Sequence, residues 1–260
     1  MRKDLIFDTH AHYDDEQFDS DREELLTGFP EKGIGRVVNV GSTLASCGKC
    51  LELAEGYEHV CAAVGVHPSE TEPLNEENFE TLRQQSLHPK CVAIGEIGLD
   101  YYWPEPGENV QKKWFARQLE LAREVGKPVI IHSREACKDT LDILRAENAG
   151  EVGGVIHCYS YSKETAGEYL ELGFYFGIGG VLTFKNARRL VETVEYLPMD
   201  RIVIETDSPY LAPEPNRGKR NSSLNLPYVV ERLAKLKGIS EEEVRRITWE
   251  NGCRLFRMTS

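Results

Sequence analysis

No stretch of this chain approaches the ~18 apolar residues that a membrane span requires, which predicts no membrane-spanning segment and no membrane partner. The opening Met1-Arg2-Lys3-Asp4 is charged and runs straight into Leu5-Ile6-Phe7, a start that predicts no signal peptide. Positive charge is in short supply. The 31 Lys and Arg face 43 Asp and Glu, and the formal net charge of −12 argues against a protein that coats nucleic acid through a broad basic surface. A transient polyanionic substrate is still compatible, because bound cations and a few local basic residues can reverse the potential at a site. Cys47-Gly-Lys-Cys50 has neither a second CxxC nor a nearby His pair, so it is read as two buried thiols rather than a redox pair or half of a zinc site. The seven cysteines are odd in number and scattered, as expected of reduced thiols in a cytoplasmic protein. Internal repeats and low-complexity tracts are absent, and no GxGxxG follows the first β-rich run, which weighs against an open dinucleotide-binding sheet.

What is present is a regular alternation. Eight short apolar, β-rich runs are separated by segments of helical spacing, the pattern of βαβ units and a parallel sheet. The runs are Leu5 to His10, Arg36 to Gly41, Val60 to His67, Cys91 to Ile97, Pro128 to His132, Gly153 to His157, Gly173 to Ile178 and Arg201 to Thr206. Asn109 to Val125 reads as a helix stopped by Gly126, and Ser240 with Glu243 forms a capping box that opens a last helix over 241–256. Eight strands with eight helices predict an α/β fold, a (β/α)8 TIM barrel, with residues 1–260 as a single domain; ~250 residues is the usual size. Ser208 to Leu226, rich in Pro, Asn, Gly and basic residues, is the one long irregular loop.

Five of the seven histidines, and the most telling carboxylates, fall at the C-terminal ends of these runs: His10 and His12, His67, Glu96, His132, His157, and Glu205 with Asp207. In a barrel that end is the active-site face. His10 and His12 are two apart, so a strand turns both to one face, where they can chelate an ion. A carboxylate inside Ile94-Gly-Glu-Ile-Gly98 is costly to bury unless paired or metal-bound, and its flanking glycines leave room for close approach. Taken singly, each has a plainer reading: a core histidine, a buried salt bridge at Glu96, a turn cap at Asp207. Together, four imidazoles and two carboxylates are about what two divalent ions sharing a bridging carboxylate need.

His10-Ala-His12, Gly65-Val-His-Pro68, Gly95-Glu-Ile-Gly-Leu-Asp100, His132-Ser-Arg134, His157-Cys-Tyr-Ser160 and Glu205-Thr-Asp-Ser-Pro-Tyr-Leu211, in that order, resemble the TatD family of metal-dependent deoxyribonucleases, relatives of the amidohydrolases. The likeness runs from Leu5 to about Phe256. It implies that His10, His12, Glu96 and Asp207 hold one metal and that Glu96, His132 and His157 hold the other, with Glu96 as the bridge. It also implies a nuclease acting on DNA, some members trimming from the 3′ end, while similar folds deacylate misacylated transfer RNA.

The expected chemistry follows. Two ions roughly 3.5–4 Å apart activate a water and stabilise an in-line phosphoryl displacement. Asp207 is expected to bind metal and accept the water's proton, with Glu96 and Glu205 completing the catalytic candidates. Asp8 shares strand parity with His10, as Glu205 does with Asp207, so both acids are expected behind the metals, hydrogen-bonded to the free nitrogen of a ligand histidine. His67 either contacts a phosphate oxygen or fixes its own turn. Arg134 is the best single phosphate contact. Arg217-Gly-Lys-Arg220, with Lys219 between its arginines, is either a substrate contact or a solvated surface run, and Tyr101, Tyr102 and Trp103 either stack on bases or pack. DNA is thus expected as a transient substrate, two divalent ions (Zn, Mg or Mn) as cofactors, and no obligate protein partner. The alternatives are a deacylase of D-aminoacyl-tRNA and a small-molecule amidohydrolase. The latter arrangement often places a carbamylated Lys on the fourth strand, where this chain has Glu96.

Overall fold

Short, wholly apolar runs of Val and Ile need cover on both faces, and a parallel sheet wrapped by helices provides it. In the computed structural model, which describes residues 5–259, all eight runs are strands: β1 (Ile6–Ala11), β2 (Ile34–Val40), β3 (Val60–Val64), β4 (Cys91–Asp100), β5 (Val129–Arg134), β6 (Gly154–Ile156), β7 (Tyr175–Ile178) and β8 (Ile202–Ile204). The charged opening at 1–4 lies outside the described residues. The strands pair in parallel and in chain order. Just beyond β8 the chain returns to β1. There the His12 N–H donates to the Ser208 carbonyl at 2.8 Å, the Asp207 N–H donates to the His10 carbonyl at 3.0 Å, and Ala11 bridges Ser208. The sheet becomes a (β/α)8 barrel.

Nine α-helices surround it among the described residues: α1 (Arg22–Gly28), α2 (Leu44–Gly56), α3 (Glu76–Ser86), α4 (Glu108–Val125), α5 (Cys137–Ala146), α6 (Lys163–Glu171), α7 (Arg188–Tyr196), α8 (Leu226–Lys237) and α9 (Glu241–Leu255). That is one more than expected, because two helices follow β8. Helix α4 ends as its sequence requires, on Gly126 in the left-handed region at φ 66°. At the start of α9 the Ser240 side chain accepts the Glu243 N–H, one half of the expected box. Strand ends shift by a few residues: β3 stops at Val64, short of His67, β4 continues to Asp100, and β8 stops at Ile204.

The barrel has its own interior, distinct from the larger core between strands and helices. Phe7, Ala63, Ala93, Ile130, Val155 and Val203 meet inside it, and Cys253, Leu255 and Phe256 close its lower end. Helix α9 is therefore a plug, with Phe7 packed against Trp249 and Phe256 at centroid distances of 5.7 and 5.8 Å. Cys47 and Cys50 are buried and unbridged, as expected, and all seven thiols are free. Burial pushes the Cys47 thiol up to about 12. Among the described residues no helix is long and apolar enough to cross a membrane.

The plug sets a tight tolerance at Gly252, where an added Cβ would lie 2.5 Å from the Phe7 ring. Within a helix, Gly→Ala ordinarily stabilises by about 1 kcal/mol. Here Gly252→Ala is expected to destabilise by about 1–3 kcal/mol through overpacking, read as a lowered denaturation midpoint; an unchanged or raised midpoint would show that the plug can yield.

Candidate metal centre

Alternation along a strand carries the inward positions from the apolar interior up to the mouth. From Val203 it leads to Glu205 and Asp207, from Val155 to His157, and from Ile130 to His132. From Phe7 and Ala93, strict alternation would aim Thr9 and Gly95 inward and turn His10 and Glu96 away. Two bulges correct this. Three residue steps of β1 (Asp8 to Ala11) span two of β2 (Val37 to Asn39), and three of β4 (Ile94 to Ile97) span two of β5 (Val129 to Ile131). Just past the second bulge Gly98 stands at φ 143°, pressed so close to β5 that any Cβ would collide with the His132 carbonyl.

The result is one cluster of nitrogen and carboxylate atoms. His10 Nε2 and His12 Nε2 lie 3.1 Å apart. Glu96 Oε2 is 3.4 and 3.8 Å from them, and Asp207 Oδ1 is 3.8 and 3.5 Å from them. Four ligands held tetrahedrally at about 2.0–2.1 Å from one ion would be about 3.4 Å apart; His10, His12 and Glu96 lie close enough together to hold a divalent cation, and Asp207 Oδ1 is within 3.8 Å of both histidine nitrogens. The other carboxylate oxygen, Glu96 Oε1, faces a second set: His132 Nδ1 at 2.7 Å and His157 Nε2 at 3.7 Å. Asp207 Oδ1 is also 3.7 Å from His157 Nε2.

Electrostatics agree with a site built for cations. Burial opposes ionisation of Glu96, yet the facing His157, His10 and His132 hold its carboxyl well below the usual range. Burial likewise opposes charge on His12 and His157, but carboxylates outweigh it: Asp207 and Glu96 raise His12 to about 9, and Glu205 and Glu96 raise His157 to about 10. Burial, reinforced by His157, lowers His10.

The second nitrogen of each ring is anchored where a partner exists, which sets the lone pair that faces the cluster. His12 Nδ1 donates to the Val40 carbonyl at 2.7 Å. His157 Nδ1 lies 3.0 Å from Glu205 Oε1 as a charge partner without a directed hydrogen bond, and that oxygen accepts the Cys158 N–H at 2.6 Å. His132 Nε2 lies 3.0 Å from Asp100 Oδ2. Asp100 is the residue that sequence reasoning missed, because β4 was expected to stop at Ile97. Its even spacing from Glu96, together with the Gly-Leu-Asp run, was the available signal. Asp8 departs from expectation. The β1 bulge breaks its parity with His10, so its buried carboxyl meets Thr206 Oγ1 at 2.7 Å and Ser223 Oγ at 2.6 Å instead of a histidine ring. Burial, partly offset by those hydroxyls, raises Asp8 to about 7. Asp207 sits just beyond β8 at φ 56°, a left-handed position that Asp tolerates better than most residues.

A family model described as TatD related DNase matches residues 7–257. The chain belongs to that family. YabD of Bacillus subtilis (strain 168), named an uncharacterized metal-dependent hydrolase, is 43% identical and aligns over 98% of this chain and 100% of its own. The 3'-5' ssDNA/RNA exonuclease TatD of Musicola paradisiaca (strain Ech703) is 31% identical over 97% and 98%. The crystal structure of YJJV, a TatD homolog from Escherichia coli K12, superposes with a TM-score of 0.92 at 29% identity, covering 99% of this chain and 100% of that one. The protein is thus a metal-dependent hydrolase of the TatD family.

In this TatD-family barrel the cluster floors a cleft of about 650 Å³. His67 is on its wall but spent on its own turn: Nδ1 meets Ser69 Oγ at 2.8 Å, and Nε2 lies 3.9 Å from Glu96 Oε1. Burial, reinforced by His132, lowers its pKa to about 4. Arg134 and Trp103 line the cleft, while Arg217 and Arg220 do not. Arg220 is held by Asp21 at 2.5 and 2.8 Å over the Phe18 ring, and Arg217 lies over Phe184. Lys219 is exposed beside them. Tyr101 packs inward with its hydroxyl on Asp139, whereas Tyr102 and Trp103 project outward.

Because Glu205 sets a carboxylate oxygen 3.0 Å from His157 Nδ1, Glu205→Gln is expected to cost about 10–100-fold in divalent-ion affinity, measured by chelator competition. Equal affinity in the two proteins would mean that His157 orients itself.

Proposed function

We propose that this TatD-family hydrolase cleaves phosphodiester bonds in nucleic acid, with DNA as the transient substrate. The observation that carries this reading is the division of Glu96: one oxygen faces His10 and His12 and the other faces His132 and His157, so one carboxylate serves two donor sets. His10, His12, Glu96 and Asp207 would hold one divalent ion, and Glu96, His132 and His157 the other, with Zn, Mg and Mn all suited to such ligands. When bound, these ions supply Lewis acidity to the phosphate oxygens and make water more acidic.

The chain's own groups do the rest. Asp207, set between the two donor sets, accepts the proton of the attacking water as its oxygen bonds to phosphorus and the bond to the leaving oxygen breaks. Glu205 and Asp100 keep His157 and His132 in the ring orientations that present a lone pair. Arg134 supplies N–H donors to a phosphate beside the reacting one. A glutamate where amidohydrolases often carry a modified lysine, and the nuclease name of the Musicola relative, support the phosphodiester over a carbon–nitrogen bond. Seven free thiols support a cytoplasmic setting.

One observation favours a second reading. Asp14, Asp15 and Glu70 also line the cleft, and they would suit the ammonium group of a D-aminoacyl-tRNA ester.

Metal-stripped protein re-supplied separately with Mg, Mn or Zn should regain hydrolysis of labelled single- or double-stranded DNA. Activity confined to D-aminoacyl-tRNA would replace the first reading by the second. Asp207→Asn should lower kcat by at least about 100-fold, the low end of general-base catalysis, while calorimetry still detects bound metal. A variant that stays fully active would remove Asp207 as the base.

A further inference from the structure

The walls of the cleft differ sharply in chemistry. On the β1 side stand Asp14 and Asp15, and Asp15 Oδ2 accepts the Tyr210 hydroxyl at 3.1 Å. Strand order places β5 four strands from β1, across the barrel mouth, with β4 beside it. On that far side are Trp103, Tyr102 and Arg134. Arg134 is the one Lys or Arg on the cleft wall among the described residues, and among them its guanidinium makes no ion pair. It lies 3.7 Å from the centroid of the Tyr102 ring. Trp103 meets Tyr102 edge to face at 4.9 Å, and the two rings are 50% and 53% exposed.

Large aromatics half in water at the edge of a reactive cleft offer π faces. An arginine lying flat on one of them keeps its N–H edge free for an anion. The platform is also tied to the chemistry below it. Asp100 Oδ2 holds His132, while Asp100 Oδ1 accepts the Tyr102 N–H at 3.0 Å. The Tyr101 N–H donates to the Arg134 carbonyl at 2.9 Å, so the aromatic loop and β5 keep one spacing.

We propose that Trp103 and the Tyr102–Arg134 stack form a base-stacking wall for the nucleotides next to the reacting phosphodiester, so that a strand enters over β4 and β5. This rests on the phosphodiesterase reading above. The opposite wall, carrying Asp14 and Asp15, repels a continuing phosphate chain. Stacking needs bases whose faces are free, so the wall selects single-stranded or frayed ends over paired duplex.

A double-mutant cycle on the metal-loaded protein tests this. The KM for a single-stranded oligonucleotide is compared with that for the same oligomer carrying abasic residues beside the scissile bond, in wild type and Trp103→Ala. Trp103→Ala should raise KM for the full oligomer by roughly five- to a hundredfold, and removing the bases should cost the variant far less than it costs wild type. Trp103→Phe should restore most of the loss. Of the three tryptophans, Trp114 is buried and Trp249 packs under the barrel, so oligonucleotide quenching of intrinsic fluorescence should largely vanish in Trp103→Phe. Additive losses with unchanged quenching would overturn the stacking wall and leave the phosphodiesterase reading intact. A wild-type protein that cleaves no oligonucleotide with any of the three metals would overturn both.

Discussion

A carboxylate with 4% of its surface exposed, set among four imidazoles, is the constraint from which the rest of this barrel's mouth follows. Removing a charge from water is expensive unless opposite charge comes close on every open side. Glu96 meets that demand by splitting its two oxygens between His10 with His12 and His132 with His157. The strands must therefore deliver groups from β1, β5 and β6 to one point on the axis. Both bulges, the glycine at 98 and the partners behind His12, His132 and His157 serve that delivery. Asp8, which makes no contact with a ligand ring, contributes indirectly: by accepting from Thr206 and Ser223 it ties β1 to the chain beyond β8, where Asp207 sits.

Much of this could be read from the sequence wherever the strands are regular. Alternation from an apolar residue to a polar one two positions on places His132, His157, Glu205 and Asp207 on the inner face without further information. It misleads at Asp8, because a bulge is a property of how two strands pair and leaves no mark in the alternation of one of them. Asp100 was hidden by the strand's end: its even spacing from Glu96 counts as a signal only once β4 is known to run past Ile97, which depends on its pairing with β5. Basic residues of the long loop were ambiguous for a different reason. Whether Arg220 faces a cleft or an acid depends on Asp21, nearly two hundred residues earlier in the chain, and only the closed barrel brings them together.

The two ends of the barrel divide the work. At the lower end Phe7, Trp249 and Phe256 pack against one another, with the Arg36 guanidinium over the first two rings and the Asn251 side chain donating to the Ile202 carbonyl at 2.6 Å. At the upper end the inward positions carry the histidines and carboxylates of the cluster. Buried polar groups are destabilising unless each is partnered, so the apolar end carries the stability that allows the polar end to be organised for binding cations.

The plug has a consequence for how the chain comes to be folded. Phe7 belongs to the first strand, and the residues that cover it, Trp249 and Phe256, belong to the last helix. The other edge of β1 finds its partner only beyond β8. During synthesis, β1 through β7 can pair with their neighbours as they emerge, yet the barrel's inner surface stays open to water and to other chains until its final tenth is made. Two late events therefore complete the barrel: the chain beyond β8 pairs with β1, bringing Asp207 beside His12, and the plug of α9 then covers Phe7.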